Sequence, residues 1–130
     1  MPAVSFPDYA QNIVELIDNL LRLEVVRLTD FQVDVRSSQR GYIAGILHFD
    51  DDAQLHFREF VDVTQHDPQA MYAYHYQNRN TRMILRYDNA LHRPALAQRD
   101  HKHTGDDHVE VTPAPSFADV LDEILSIYSV

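Results

Sequence analysis

His92, His101 and His103 fall close together in the chain, in company with Arg86, Asp88 and Lys102. Histidine titrates near neutrality, so it can take and give protons at working pH. A fixed cation beside it can stabilise the charge of a phosphorane. Cleavage of RNA by attack of its own 2′-hydroxyl needs a base, an acid and such a cation, and this stretch offers all three types. In that assignment Arg86 and Lys102 bind or stabilise phosphate, His92 and His101 or His103 exchange protons, and Asp88 orients a histidine. Arg58, His75, Asn89 and Arg82 are the expected substrate contacts.

Two other readings of the same residues stand beside this one. His101-x-His103 places both rings on one side of an extended segment, and His92 or Asp88 would complete a three-ligand metal site. The spacing matches no standard zinc motif, so the expectation is neither a metal nor a cofactor. The structural reading is that Asp88 and Asn89 are turn formers whose side chains cap backbone groups after a strand.

The charge distribution bears on the choice. The net charge is −9, which argues against indiscriminate adhesion to nucleic acid or anionic lipid. Yet residues 79–102 hold six basic side chains (Arg79, Arg82, Arg86, Arg93, Arg99 and Lys102) against two acidic ones, while residues 106–130 hold no lysine or arginine. Such an island attracts a phosphate locally, or else it is an arginine-rich solvated hairpin paired with nearby acids. The absence of cysteine excludes disulfides, thiolate metal sites and a cysteine nucleophile. No signal peptide and no apolar run of spanning length is seen, so the expectation is a soluble, cytoplasmic protein without membrane contact.

The elements that must position these residues follow from periodicity. Ile13, Leu16, Ile17, Leu20 and Leu21 predict a helix over about Pro7 to Leu21, with Ser5 and Asp8 at capping spacing. Alternation predicts strands over Leu23–Arg36, with a slip near Thr29–Asp30, and over Tyr42–Phe49, Leu55–Val63, Met71–Gln77 and Arg82–Tyr87. A polar loop is expected over 88–107, and His108–Thr112 is a candidate sixth strand. Ser116 and Asp119 form a capping box ahead of a helix lined by Phe117, Val120, Leu121, Ile124, Leu125 and Tyr128. The fold class is α+β: one domain over 1–130, an antiparallel sheet of five to six strands flanked by an N-terminal and a C-terminal helix. Arg58 and Glu59 must face opposite sides of their strand, so the inward one needs a partner. Tyr72, Tyr74 and Tyr76 share one strand face, either packed beneath a helix or open to stack bases, and His75 shares the other.

Tyr74-His75-Tyr76, Arg86-Tyr87-Asp88-Asn89-Ala90, His92-x-Pro94 and His101-Lys102-His103-x-Gly105-Asp106 together resemble the TumE family of bacterial toxins. Arg58-Glu59-Phe60 and the helix after Pro115-Ser116 fit the same pattern, and the resemblance runs over roughly Asp8 to Ile127. The chain departs from it at Leu91 and Arg93, which flank His92 where family members read DNAPHHP. It departs again at Asp100, where a second histidine is common, and at Gln98-Arg99, where an aromatic–Pro pair is common. His92, His101, Lys102 and His103 are the candidates that survive these departures. The resemblance implies a growth-inhibiting toxin paired with a small helix-turn-helix antitoxin. Likeness to small ribonuclease toxins is an analogy at the level of fold, and it makes RNA the expected substrate. The alternatives are a protein-binding module without catalysis, whose acidic helix (Asp119, Asp122, Glu123) meets a basic partner, and a metal-dependent nuclease or hydrolase. A homodimer is left open.

Overall fold

The computed structural model describes residues 5–90 and 98–128. Helix α1 (Phe6–Leu21) starts where predicted, because the Ser5 hydroxyl accepts the Asp8 backbone N–H at 3.2 Å. Pro7 sits in the first turn, where a missing N–H costs nothing. Phe6, Ala10, Ile13, Ile17 and Leu20 form its buried face. Helix α2 (Phe117–Tyr128) opens with a reciprocal capping box. Ser116 Oγ accepts the Asp119 N–H and Asp119 Oδ2 accepts the Ser116 N–H, both at 3.1 Å.

Between the helices the described residues form seven strands: β1 (Val26–Val35), β2 (Arg40–Phe49), β3 (Gln54–Asp62), β4 (Gln69–Gln77), β5 (Met83–Asp88), β6 (His101–Thr104) and β7 (Val109–Val111). They form one meander in sequence order, each strand antiparallel to the next. The α+β class and the terminal helices are as expected, but the strand count is seven, not five to six. The additional strand is β6, which lies inside the stretch expected to be loop. A search for alternating apolar residues passes over His-Lys-His-Thr, because neither face of that strand is hydrophobic. In β1 the expected slip is a break in register between Thr29 and Gln32, with Asp30 at φ 55°.

Both helices contribute to one core with the side chains of a single sheet face. Ile43, Leu47, Leu55, Phe57, Val61, Tyr72, Tyr74, Tyr76 and Leu85 meet Phe6, Ile13, Ile17, Phe117, Val120 and Ile124 there. Sealing one large apolar side chain contributes about 1.5–3 kcal/mol, so the two apolar helix faces suffice to hold the helices down. The tyrosine stripe is therefore core, at 4%, 0% and 1% exposure for Tyr72, Tyr74 and Tyr76. Gly41 is fixed by the same packing, since a Cβ there would stand 2.2 Å from the Phe6 ring.

Because α1 and α2 occupy one face, the side chains of alternate residues stand on a helix-free face. Arg58 and Glu59 divide as alternation demands. Arg58 is exposed, while Glu59 is 1% exposed in the core. Tyr9 donates its hydroxyl to Glu59 Oε1, and Oε2 has no hydrogen-bond partner. Burial pushes the Glu59 carboxyl above its ordinary 4.5, with the Tyr9 hydrogen bond acting the other way. A raised carboxyl pKa means that the folded state holds a proton which the unfolded state releases. Its contribution is therefore full below pH 4.5 and falls as pH rises through the window above it. Thermal or urea unfolding of the parent and Glu59→Gln across pH 4–9 is expected to show the parent losing ground with pH. The slope within the window has an upper bound of about 1.4 kcal/mol per pH unit for one proton. Parallel stability curves would contradict a buried, protonated Glu59.

Candidate functional site

The helix-free face is built in transverse rows, because directly paired residues on neighbouring strands present side chains to the same side. One row runs Ile46, His56, His75, Arg86 and His103 across β2 to β6. The next runs Ala44, Arg58, Ala73, Asp88 and His101. Residues far apart in the chain are thereby neighbours, and the candidate chemistry gathers on β4, β5 and β6.

Asp88 is the centre of the cluster. Its side chain is 7% exposed, and a buried carboxylate needs compensation. Arg86 Nε donates to Oδ2 at 2.7 Å, and His101 Nε2 lies 3.0 Å from Oδ1. The Ala90 backbone N–H also donates to Oδ1, at 3.1 Å. His101 is 2% exposed, and its Nδ1–H donates to the Arg99 carbonyl. Occupied at both ring nitrogens and sealed from solvent, His101 braces Asp88. His103 is edge-on to it, with ring centroids 4.9 Å apart, and its Nε2 lies 3.9 Å from Asp88 Oδ2. Its side chain keeps 23% exposure, against 2% for His101.

On the other side of Arg86 stands His75, with Nδ1 3.4 Å from Arg86 Nη1. Burial lowers the His75 pKa below its ordinary 6.5, and the charges of Arg86 and His56 act in the same direction. His56 follows at 6.4 Å between ring centroids. Arg58, His56, His75 and Arg86 line a groove of about 280 Å³ whose rim also carries Tyr42 and Asp30. A hollow of about 640 Å³ near Glu24, Arg27, Asp52 and Arg79 contains none of the converging residues.

The structure separates Lys102 from the histidines on either side of it. It pairs with Tyr87 in register and points to the helix face. There Lys102 Nζ donates to Glu123 Oε2 at 2.7 Å and Tyr87 donates to Glu123 Oε1 at 2.6 Å. Nζ also stands 5.1 Å from the Tyr87 ring centre, within cation–π range. The expected phosphate contact by Lys102 at the histidines thus gives way to an anchor for α2. Asn89 behaves as the structural reading has it: its Oδ1 accepts the Tyr72 N–H and its Nδ2 donates to the Ala70 carbonyl, both at 3.1 Å. Arg82 lies just before β5, about 13 Å along the chain from Arg86, outside the cluster. His92 lies outside the described residues. Asp100, where the resemblance leads one to expect histidine, accepts the Tyr72 hydroxyl at 2.8 Å. In α2, Asp119 caps the helix and Glu123 holds Lys102, while Asp119 and Asp122 stay exposed.

Asp88, His101 and His103 also offer ligand atoms within 4.8 Å of one another, enough for three metal ligands. His101 has the second-sphere carbonyl that metal-bound histidines commonly use. Against this, the Arg86 guanidinium already sits on Asp88 Oδ2, and a dication there would face a fixed positive charge. No helix among the described residues is long and apolar enough to cross a membrane.

Comparison with known proteins agrees with the motifs. The family model for toxin TumE matches residues 13–128, and the chain belongs to that family. It is thus a toxin of a toxin–antitoxin pair, with an antitoxin as partner. No match was found among curated proteins or among solved structures.

The two ion pairs of this region differ in depth, and their removal should differ accordingly. Asp88→Ala leaves the buried His101 and the partly buried Arg86 without their shared carboxylate and is expected to cost about 3–5 kcal/mol. Lys102→Ala breaks a pair whose carboxylate, Glu123, keeps 31% exposure and can be met by water, and is expected to cost about 1 kcal/mol. Urea unfolding of both variants measures the difference, and equal losses would contradict the burial argument.

Proposed function

For this TumE-family toxin we propose a metal-independent endoribonuclease activity, carried by the helix-free face. The single observation behind the reading is that Arg86 stands between His75 and His103 in one cross-strand row. That is a base, a cation and an acid side by side. Burial and the Arg86 charge lower the His75 pKa and so favour the neutral ring; its Nδ1, which faces Arg86 Nη1 at 3.4 Å, takes the proton of a 2′-hydroxyl as that guanidinium donor shifts to the phosphate. The 2′-oxygen then attacks phosphorus. Arg86 uses the guanidinium donors not spent on Asp88 to stabilise the extra charge on the phosphoryl oxygens. His103 delivers a proton to the departing 5′-oxygen. The P–O2′ bond forms and the P–O5′ bond breaks, with no net change in protons. Asp88 and His101 position Arg86 and His103, and Arg58 and His56 extend the cationic surface. Cytoplasmic RNA is the proposed target, and the expected antitoxin is a small helix-turn-helix protein encoded beside the toxin.

A second reading, a metal-dependent hydrolase, is favoured by the Asp88, His101 and His103 convergence and disfavoured by Arg86 on the same carboxylate. Chelation separates the two. Inducible expression should arrest growth, and purified protein should cleave RNA in the presence of EDTA. His75→Ala and His103→Ala are each expected to slow cleavage by about 10²–10⁴-fold, and Arg86→Ala by about 10²–10³-fold. The acidic limb of the pH–rate profile, assigned to His75, should lie below pH 6.5. Intact RNA, or variants as toxic and as active as the parent, would sink the reading. Activity that EDTA abolishes and a divalent ion restores would transfer it to the metal alternative.

A further inference from the structure

The groove on the helix-free face has a feature that the chemistry above leaves unused. One row further along the strands from Arg58, Tyr42 pairs with Phe60 and Phe60 with Met71. The Tyr42 and Phe60 rings stack with centroids 4.5 Å apart, tilted at 44°. Phe60 is 42% exposed and Met71 58% exposed, although each stands in the interior of a sheet whose other face is sealed. The row between the aromatic pair and the histidines is Ala44, Arg58 and Ala73. Small residues on both sides of Arg58 make the floor of the groove. Its order is therefore aromatic rim, alanine floor with one arginine, then the His56, His75 and Arg86 wall. The rim and the wall are about 13 Å apart, four residues along a strand.

We propose that this groove is a nucleotide-binding subsite for single-stranded RNA, with a base stacked on the Tyr42–Phe60 pair and the neighbouring backbone phosphate held by Arg58. The inference rests on the ribonuclease reading and deepens it. Aromatic faces combined with a cationic groove are the recognition chemistry of single strands, because every base offers a π-face and every step a phosphate. A duplex keeps its bases stacked on one another and cannot offer them to the rings. Charge complementarity favours this occupant over a protein helix. Arg58, Arg86, His56 and His75 adjoin the aromatic rim, against Asp30 alone among the acidic groups lining the groove.

The test is fluorescence anisotropy with a labelled, 2′-O-methylated single-stranded RNA oligomer that cannot be cleaved, using the full chain. Phe60→Ala and Tyr42→Ala are each expected to weaken binding by about fivefold to a hundredfold. Arg58→Ala should weaken it and flatten its salt dependence, while Tyr42→Phe should bind as the parent does. A duplex of the same sequence should bind less tightly than the single strand. If the alanine variants bind the oligomer as tightly as the parent, the subsite is wrong, whatever the cleavage assay shows. If the parent cleaves no RNA but the variants lose oligomer binding, the subsite stands and the catalytic reading falls. If Tyr42→Ala and Phe60→Ala leave oligomer binding intact and weaken capture of the antitoxin, the row is a protein-docking surface and the proposal is overturned.

Discussion

The arrangement of the site depends on a buried carboxylate. Asp88 ends β5 with its side chain almost wholly removed from water, and it is held there by Arg86 from its own strand and His101 from the next. A charge in that position is tolerable only when its lone pairs are met by well-placed donors. Meeting them fixes more than Asp88. Arg86 is tied down through Nε, which aims the rest of its guanidinium along the row toward His75. His101 is locked between the carboxylate and the Arg99 carbonyl, and its ring forms the edge against which His103 packs. Strand β6 contains no hydrophobic residue to recommend it, yet it pairs with β5 in a register that satisfies this ion cluster.

The same register explains why so polar a strand is stable on both sides. Tyr87 and Lys102, one residue removed from the cluster, face the helices and bind Glu123 of α2. A polar lock on each face of the β5–β6 pair takes the place of apolar burial. Elsewhere the usual division holds. The apolar faces of α1 and α2 cover one side of the sheet and leave the other without a helix among the described residues. The tyrosines, being large, fill the space beneath the helices, while Ala73 and His75 at the alternate positions of β4 keep the open face shallow. Fold and site are thus one consequence of period-two alternation in strands whose two faces have different tasks.

Much of this was legible in the sequence. Both helices, their caps, the break in β1 and the strands β2 to β5 follow from apolar spacing and capping chemistry, since those signals are local. So does the inward turn of the Arg58-Glu59 pair, although which residue turned inward depended on Tyr9 from another element. What local signals could not supply was β6, because its stability comes from partners on β5 and α2 rather than from its own pattern. That omission had a consequence for the site. Read as a loop, His101-Lys102-His103 looks like one cluster; as a strand, it is two residues on one face and one on the other. His75 is named from the sequence as a substrate contact, but its neighbour His56 is not, since cross-strand register across β3, β4 and β5 is not written in any single segment. An outward histidine alternating with core tyrosines was the available clue.

The chemistry proposed for the open face is reported most directly by the ends of the RNA fragments. Attack by the 2′-oxygen, with His75 and His103 moving protons and no metal-bound water, must leave a 2′,3′-cyclic phosphate or its 3′-phosphate on one fragment and a free 5′-hydroxyl on the other. Mapping the termini of RNA cleaved by the purified toxin in EDTA is predicted to find those ends. Fragments with 3′-hydroxyl and 5′-phosphate ends, produced only when a divalent ion is supplied, would contradict it.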